Sequence, residues 1–409
     1  MDASHVLNAQ RPPPPPWVLP CLQVLLGTSV VYRKPLLSVV ALSYSSYCLV
    51  HFIRRPPAGD YMLIYNFGTQ LLIQAARLIN GLLLVKAEEF TRIPKDPVKP
   101  ASEKDLAGID KVVVAQVSSS WARFMDALEI GLLAVRGVGW NYQAKKIPGG
   151  KPADYPRFRF VVENLCGAIW RTIAIDLTMS YIRTTPMSDP SPIGRLGITA
   201  APVHLRLFRG VLIFYGSRLA MDLIYSIAAS VFVGIGLYNP SDYPPLMGKK
   251  RDAYTVRRFW SHTWHQMLRP IAEPPTNYIV HNILHIKKGS YISNYSKVFS
   301  AFFVAYVVHA YATHMAGGDQ LADWNFFMSQ AVAIWVEETI VKIVKGATGF
   351  GATKQQQQVG YWIGYLWTIA FVSVSGTFWF EGYANSGAYM LPPFFGVSLV
   401  ETALAKLGI

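Results

Sequence analysis

Charge is scarce in this chain. Only 15% of its 409 residues are Asp, Glu, Lys or Arg, whereas about a quarter is usual for soluble domains; 52% are hydrophobic and the mean hydropathy is +0.25. That balance argues against an ordinary soluble enzyme and for a bilayer protein. Cysteine is scarcer still. Cys21, Cys48 and Cys166 lie in apolar stretches without C-x-x-C spacing, so neither a disulfide framework nor a zinc knuckle is encoded, and the three read as small core residues. No G-x-S-x-G occurs, which removes the serine nucleophile elbow, and no two histidines are adjacent. Acidic residues are few, 24 against 38 Lys and Arg, for a net charge of +14. The basic residues come in short clusters between apolar runs. Anionic headgroups or a phosphate-bearing cosubstrate fit that pattern better than nucleic acid.

What is present begins with an arm, residues 1–16, that ends in the run Pro12 to Pro16; such a run cannot be helical and is expected to form a stiff polyproline II segment. Residues 17–409 read as a single membrane domain. Apolar stretches recur at 17–32, 36–53, 61–85, 158–181, 205–237, 300–316, 326–344, 359–380 and 389–407, most of them near the ~20 residues that cross a bilayer. The expected fold is all-α: a polytopic membrane protein of about eight to ten transmembrane or re-entrant helices around an internal tunnel. The first two stretches end in Arg33-Lys34 and Arg54-Arg55. Both basic pairs cannot face the cytosol if both stretches span, so one of them should be tilted or interfacial. Residues 86–111 mix Lys, Glu, Asp and Pro and read as an exposed loop.

Polar residues inside the apolar stretches need partners. Gln70, Gln74, Arg77 and Asn80 share a helical face that should meet protein or water. Glu163, Arg171, Asp176, Arg218 and Asp222 admit two readings, an ion network that holds helices together or a substrate passage.

Chemistry concentrates in Arg257 to Pro270, where cations, aromatics and imidazoles crowd, and six of the nine histidines lie between His262 and His314. Three arrangements compete. His262 with His265, and His281 with His285, have spacings that let imidazoles share a metal, the pattern of a membrane metal oxidoreductase of hydroxylase or desaturase type; the tandem H-x-x-H-H boxes of that class are absent. His314 with Asp319 fits an H-x-x-x-x-D box, in which the carboxylate orients an imidazole base. The third is a lone His309 in an apolar helix, brought in space to the polar cluster at His265, where a neutral imidazole in a dry tunnel can take a proton from an alcohol. A transporter or lipid-binding protein would explain the intramembrane charges without any of these.

Four tracts resemble the wax-synthase-like branch of the membrane-bound O-acyltransferases, which in fungi includes acetyltransferases acting on terpenoids and meroterpenoids. Arg136-Gly137-Val138-Gly139-Trp140 resembles RGxGW, Tyr243 to Gly248 resembles WPPLFG, Arg258 to Gln266 resembles RFWxxxWHQ, and Phe303 to His309 resembles the segment that ends in the family's catalytic histidine. The likeness covers about residues 136–380. It implies an acyl-CoA donor, with acetyl-CoA expected, a lipophilic alcohol acceptor, direct transfer without an acyl-enzyme, no metal and no tightly bound cofactor. It implies His309 as general base, His265 as a second catalytic group that holds or polarises reactants, and Trp260, Trp264 and Gln266 as tunnel wall. It also implies residence in the endoplasmic reticulum membrane.

Two departures from the family pattern carry expectations. Ser261-His262-Thr263 stands where relatives often have a glycine and two arginines, so CoA phosphates are assigned to Lys249, Lys250, Arg251, Arg257, Arg258 and Arg269. Tyr306 replaces a small residue and is expected to narrow the tunnel toward a short donor. The sequon Asn294-Tyr295-Ser296 falls in a basic loop expected to face the cytosol and to carry no glycan. Oligomeric state is not encoded legibly.

Overall fold

The computed structural model describes residues 12–85, 91–93, 120–183, 201–384 and 398–407. Eleven elements organise them: α1 Val18–Tyr32, α2 Pro35–Arg54, α3 Tyr61–Ile79, α4 Ser120–Leu128, α5 Arg157–Arg183, α6 Val203–Gly234, α7 Arg269–Asn277, α8 Tyr291–Met315, α9 Gln320–Thr348, α10 Lys354–Ala384 and α11 Leu399–Leu407. Short helical turns lie between some of them, and no named strand occurs among the described residues. The architecture is all-α. Among the described residues five helices are long and apolar enough to cross a membrane: α2, α3 with its extension to Leu84, α6, α8 and α10. Their outer faces carry Leu36, Val39, Ile224, Ile363 and Leu366 in the open, an apolar exposure that suits lipid.

The N-terminal hairpin resolves the conflict between its basic flanks. Its first helix, α1, has 15 residues and a length of about 22 Å, short of the ~30 Å hydrocarbon core, whereas α2 has 20 residues. Pro12 to Pro16 contains no α-helix, as expected; the rest of the arm, residues 86–90 and 94–111 of the expected loop, and residues 389–397 of the stretch 389–407 lie outside the described residues.

Helix ends follow local chemistry. The Asp60 carboxylate caps α3 by accepting from the Met62 and Leu63 N–H groups, Ser290 caps α8 through Ser293 N–H, and Asp319 caps α9 through Leu321 N–H. Gly349, at φ +66°, lets α9 stop in the left-handed conformation. The cap at Ser290 starts α8 nine residues before the apolar stretch at 300, which corrects the expected basic loop: Asn294 to Ser296 form early turns of a helix.

Packing runs in a chain of neighbours. α1 contacts α2, α3 and α4; α3 contacts α8; α8 packs on α9, α9 on α10, α10 on α6, and α6 along α5. Polar groups in the spans serve this packing. Arg77 donates to Gln74 Oε1 at 2.9 Å and to the carbonyls of Ile130 and Gly131, and the Asn80 side chain donates to the Ile271 carbonyl at 2.9 Å, so that face meets protein. Four of the five intramembrane charges have partners, mostly on or beside their own helix. Glu163 pairs with Lys151 and Arg159, Arg218 lies 3.7 Å from Asp222, and Asp176 accepts from Val400 N–H at 3.0 Å.

Candidate active site

The wall nearest to chemistry is built by an irregular piece of backbone. After α6, two 3₁₀ turns (Pro240–Asp242 and Lys250–Asp252) lead to a single turn, Val256–Arg258, which widens into a π-helical turn, Phe259–Thr263. The two family-like tracts that precede it act as its footing. Arg136 is buried and donates to the Pro245 carbonyl at 2.8 Å, the Pro244 carbonyl at 2.9 Å and the Tyr225 hydroxyl at 2.6 Å, so the 136–140 tract clamps the 243–248 tract. Trp140 is buried beside it and donates to Glu129 at 2.9 Å. Gly248 donates to the Thr263 carbonyl at 3.0 Å and sits so close to the next strand of backbone that a Cβ would lie 1.7 Å from the His262 oxygen. We expect Gly248→Ala to force that segment away, to cost about 1–3 kcal/mol or more, and to lower activity with it; thermal unfolding in detergent checks this, and a wild-type melting curve would sink it.

The turn delivers its aromatic and polar side chains inward. Trp260 donates to Gln330 Oε1 at 3.1 Å, and Gln330 donates to Ser375 at 3.0 Å, which ties the wall to α9 and α10. Gln266 is buried and donates to the carbonyls of Trp260 (2.8 Å) and Trp264 (3.0 Å), fixing the bend between them. Trp264 packs against Phe214 and Phe259.

These residues line one cavity of about 770 Å³, which also takes in α7, α8 and α9. On α8 the lining residues include Lys297, Ala301, Ala305 and His309, four apart, so one helical face runs from the cavity mouth to its depth. The rise from Lys297 to His309 is about 18 Å. On the antiparallel α9 the order is reversed, from Phe327 in the depth through Ile334 and Glu338 to Lys342 at the mouth. Four cations, Arg257, Arg269, Lys297 and Lys342, face two carboxylates, Glu273 and Glu338. Glu338 clamps Arg257 and accepts from the Tyr295 hydroxyl at 2.7 Å, and Glu273 lies 3.4 Å from Arg269. Among the described residues Lys297 and Lys342 have no such partner.

Two imidazoles occupy the inner end. His309 shares a hydrogen bond through Nδ1 with the Tyr65 hydroxyl of α3, stacks on Phe327 with 4.7 Å between ring centroids, and meets the edge of Trp379 at 5.6 Å. With Nδ1 engaged, Nε2 is the nitrogen left for a ligand. The Nδ1 of His265 accepts from the Met267 N–H at 3.4 Å, which places its proton on Nε2 and makes that atom a donor. Burial, then the nearness of His309 and Arg136, pushes the His265 imidazole down to about 3, so it is neutral in any physiological range.

The structure thus brings together His309, His265, Trp260, Trp264, Gln266, Arg257 and Arg269, and it sets the other expected residues elsewhere. Tyr306 lies one residue off the cavity face of α8, packed on Trp324 at 5.1 Å and Phe303 at 5.9 Å, so Ala305 rather than a tyrosine borders the cavity. Arg258 pairs with Asp252 at 3.3 Å and covers Tyr254, and Lys250 covers Tyr215 at 4.7 Å. Lys249 and Arg251 contribute carbonyls to Thr263 and Tyr361. These four belong to the turn, outside the cavity lining. Sequence reasoning missed Tyr65, Lys297, Lys342 and Phe327. The four-residue ladder back from His309 pointed to Lys297; nothing local marked the others.

The competing arrangements find other uses. His281 Nδ1 lies 2.8 Å from the Ile286 carbonyl, and among the described residues no three His, Cys, Asp or Glu side chains gather as metal ligands. His314 contacts the Ile53 carbonyl at 3.3 Å while Asp319 caps α9, so that box is two separate structural roles.

Residues 243–329, which carry both His265 and His309, match the model of the membrane bound O-acyl transferase family. Three fungal acetyltransferases are similar over longer spans. They are eriL of Hericium erinaceus, 26% identical with 65% of this chain and 69% of the relative covered; cdmC of Talaromyces verruculosus, 29% identical with 67% and 70% covered; and ple2 of Rhodocybe pseudopiperita, 28% identical with 80% of each covered. With the matched tract forming the wall and the α8 face of the cavity, and with apolar helices of spanning length around it, the chain is similar to the membrane bound O-acyl transferase family and to these acetyltransferases.

Proposed function

We propose that this membrane O-acyltransferase moves a short acyl group, acetyl in the first instance, from acyl-CoA to the hydroxyl of a lipophilic acceptor such as a terpenoid, a meroterpenoid or a long-chain alcohol, in the endoplasmic reticulum membrane. The observation that carries this reading is the shared cavity, which joins a cationic mouth to two imidazoles that each have Nδ1 engaged and Nε2 free. The mouth suits the phosphates of CoA, through Lys297 and Lys342 as well as Arg257 and Arg269. The 18 Å ladder along α8 is on the scale of an extended pantetheine arm.

At the inner end the roles divide by tautomer. With Nδ1–H donated to Tyr65, Nε2 of His309 accepts the acceptor's hydroxyl proton as its oxygen attacks the thioester carbon. Nε2–H of His265 donates to the carbonyl oxygen as it gains negative charge. The carbon–sulfur bond then breaks, and the imidazolium returns the proton to the departing CoA thiolate. No metal and no resident cofactor takes part.

The test uses protein purified in detergent, acetyl-CoA and a hydroxylated terpenoid, with thiol release and ester mass as readouts. Release of CoA in step with ester formation is expected, and no ester from any acyl-CoA and alcohol pair would overturn the reading. Within that assay, Lys297→Glu with Lys342→Glu should raise KM for acetyl-CoA about tenfold or more, with kcat less affected. The increase should shrink as salt is added. An unchanged KM would remove the mouth from CoA binding.

A further inference from the structure

The same site contains a stop at its closed end, and the argument rests on the acyl-CoA reading above. His309 is the last residue of α8, and Phe327 the first of α9, to border the cavity; past them the two helices approach the turn that joins them. Phe327 is 3% exposed and lies face to face with the imidazole. Behind it the space is filled. Phe326 meets Phe327 at 5.0 Å, Trp379 meets Phe327 at 5.6 Å, and Phe326 and Trp379 stack at 4.5 Å with their planes 5° apart. The Trp379 indole is anchored by a 2.7 Å hydrogen bond to Asp323 at the start of α9. This block cannot swing aside as a flexible aliphatic side chain could.

The consequence concerns the donor. A thioester carbon brought to the histidine pair from the mouth has its sulfur and pantetheine behind it, toward Lys297, so its acyl chain must point onward. Onward is the end of the cavity, which Phe327 borders beside the imidazole. We propose that Phe327, backed by Phe326 and Trp379, sets the length of acyl group that this enzyme accepts, admitting acetyl and turning away chains several methylenes longer. The residue acts on specificity, and the proton transfer stays with the imidazole. The Ala301 and Ala305 side of the cavity leaves the approach wide, so it is the end of the cavity rather than its width that selects.

Competition between donors reads this without interference from a general loss of rate. Wild-type protein, given equimolar acetyl-CoA, butanoyl-CoA and hexanoyl-CoA, should form the acetyl ester with at least about a hundredfold preference over the hexanoyl ester, since each methylene in a closed apolar pocket is worth about tenfold or more. Phe327→Ala should narrow that ratio by at least about tenfold, and Phe327→Leu, which keeps the site apolar and filled enough to fold, should narrow it less. Wild-type protein that prefers hexanoyl-CoA, or a ratio unchanged in whichever folded variant is measured, overturns the proposal and leaves acyl transfer itself standing. Absence of any ester from wild-type protein overturns both.

Discussion

Replacing His309 with alanine is expected to lower kcat for ester formation about 100- to 10,000-fold, with KM for acetyl-CoA little changed. The side chain sits at the inner end of the cavity, and it is held from three sides: Tyr65 engages Nδ1, Phe327 covers one face and Trp379 meets the ring edge-on. Truncation removes the proton acceptor and opens a void, and it takes nothing from the cations at the mouth. Loss of rate with retained CoA affinity is therefore the signature. The folded state is checked by its melting curve and by size-exclusion profile in detergent. Turnover like that of the wild type in a folded His309→Ala protein removes the assigned base.

His265 should behave differently, because its free nitrogen carries a proton it does not give up. His265→Ala deletes a donor aimed at a developing oxyanion and is expected to cost about 100- to 1,000-fold in kcat. His265→Asn restores an N–H of similar reach and should recover a large part of that loss, which a proton-shuttling histidine would not permit. The pH dependence separates the two further. Its folded value of about 3 lies below the ordinary 6.5, so the folded protein binds fewer protons than the unfolded chain between those limits. Stability from this group is complete above pH 6.5 and is lost as pH falls toward 3. His265→Asn should flatten the acid side of the stability curve. An Asn variant as inactive as the Ala variant, or an acid limb unaltered by the exchange, would show that His265 has another task.

The cavity has a cationic mouth, and the helices of spanning length around it carry apolar outer faces. The framework that holds this arrangement is polar and buried: the Arg136 clamp on the 244–245 carbonyls, and the Trp260–Gln330–Ser375 relay. Each leaves an orphaned polar group if one partner is lost.

Composition and apolar run length by themselves determined that this is an all-α membrane protein, because a chain so poor in charge has to bury its backbone hydrogen bonds in helices if it crosses lipid. The order of four short tracts determined the family resemblance and singled out His309, His265 and the Trp260–Gln266 wall. Tertiary structure alone decided the rest. Tyr306 left the cavity because one residue along a helix turns a side chain by about 100°, and Lys249 to Arg251 were spent on a turn. Lys342, Phe327 and Tyr65 reached the site from α9 and α3, where no local pattern distinguishes a residue that lines a cavity from one that packs against a neighbour. Which nitrogen of each imidazole stays free depended on the partner of the other, and those partners, Tyr65 across 244 residues for His309 and the Met267 amide for His265, exist only once the chain has folded.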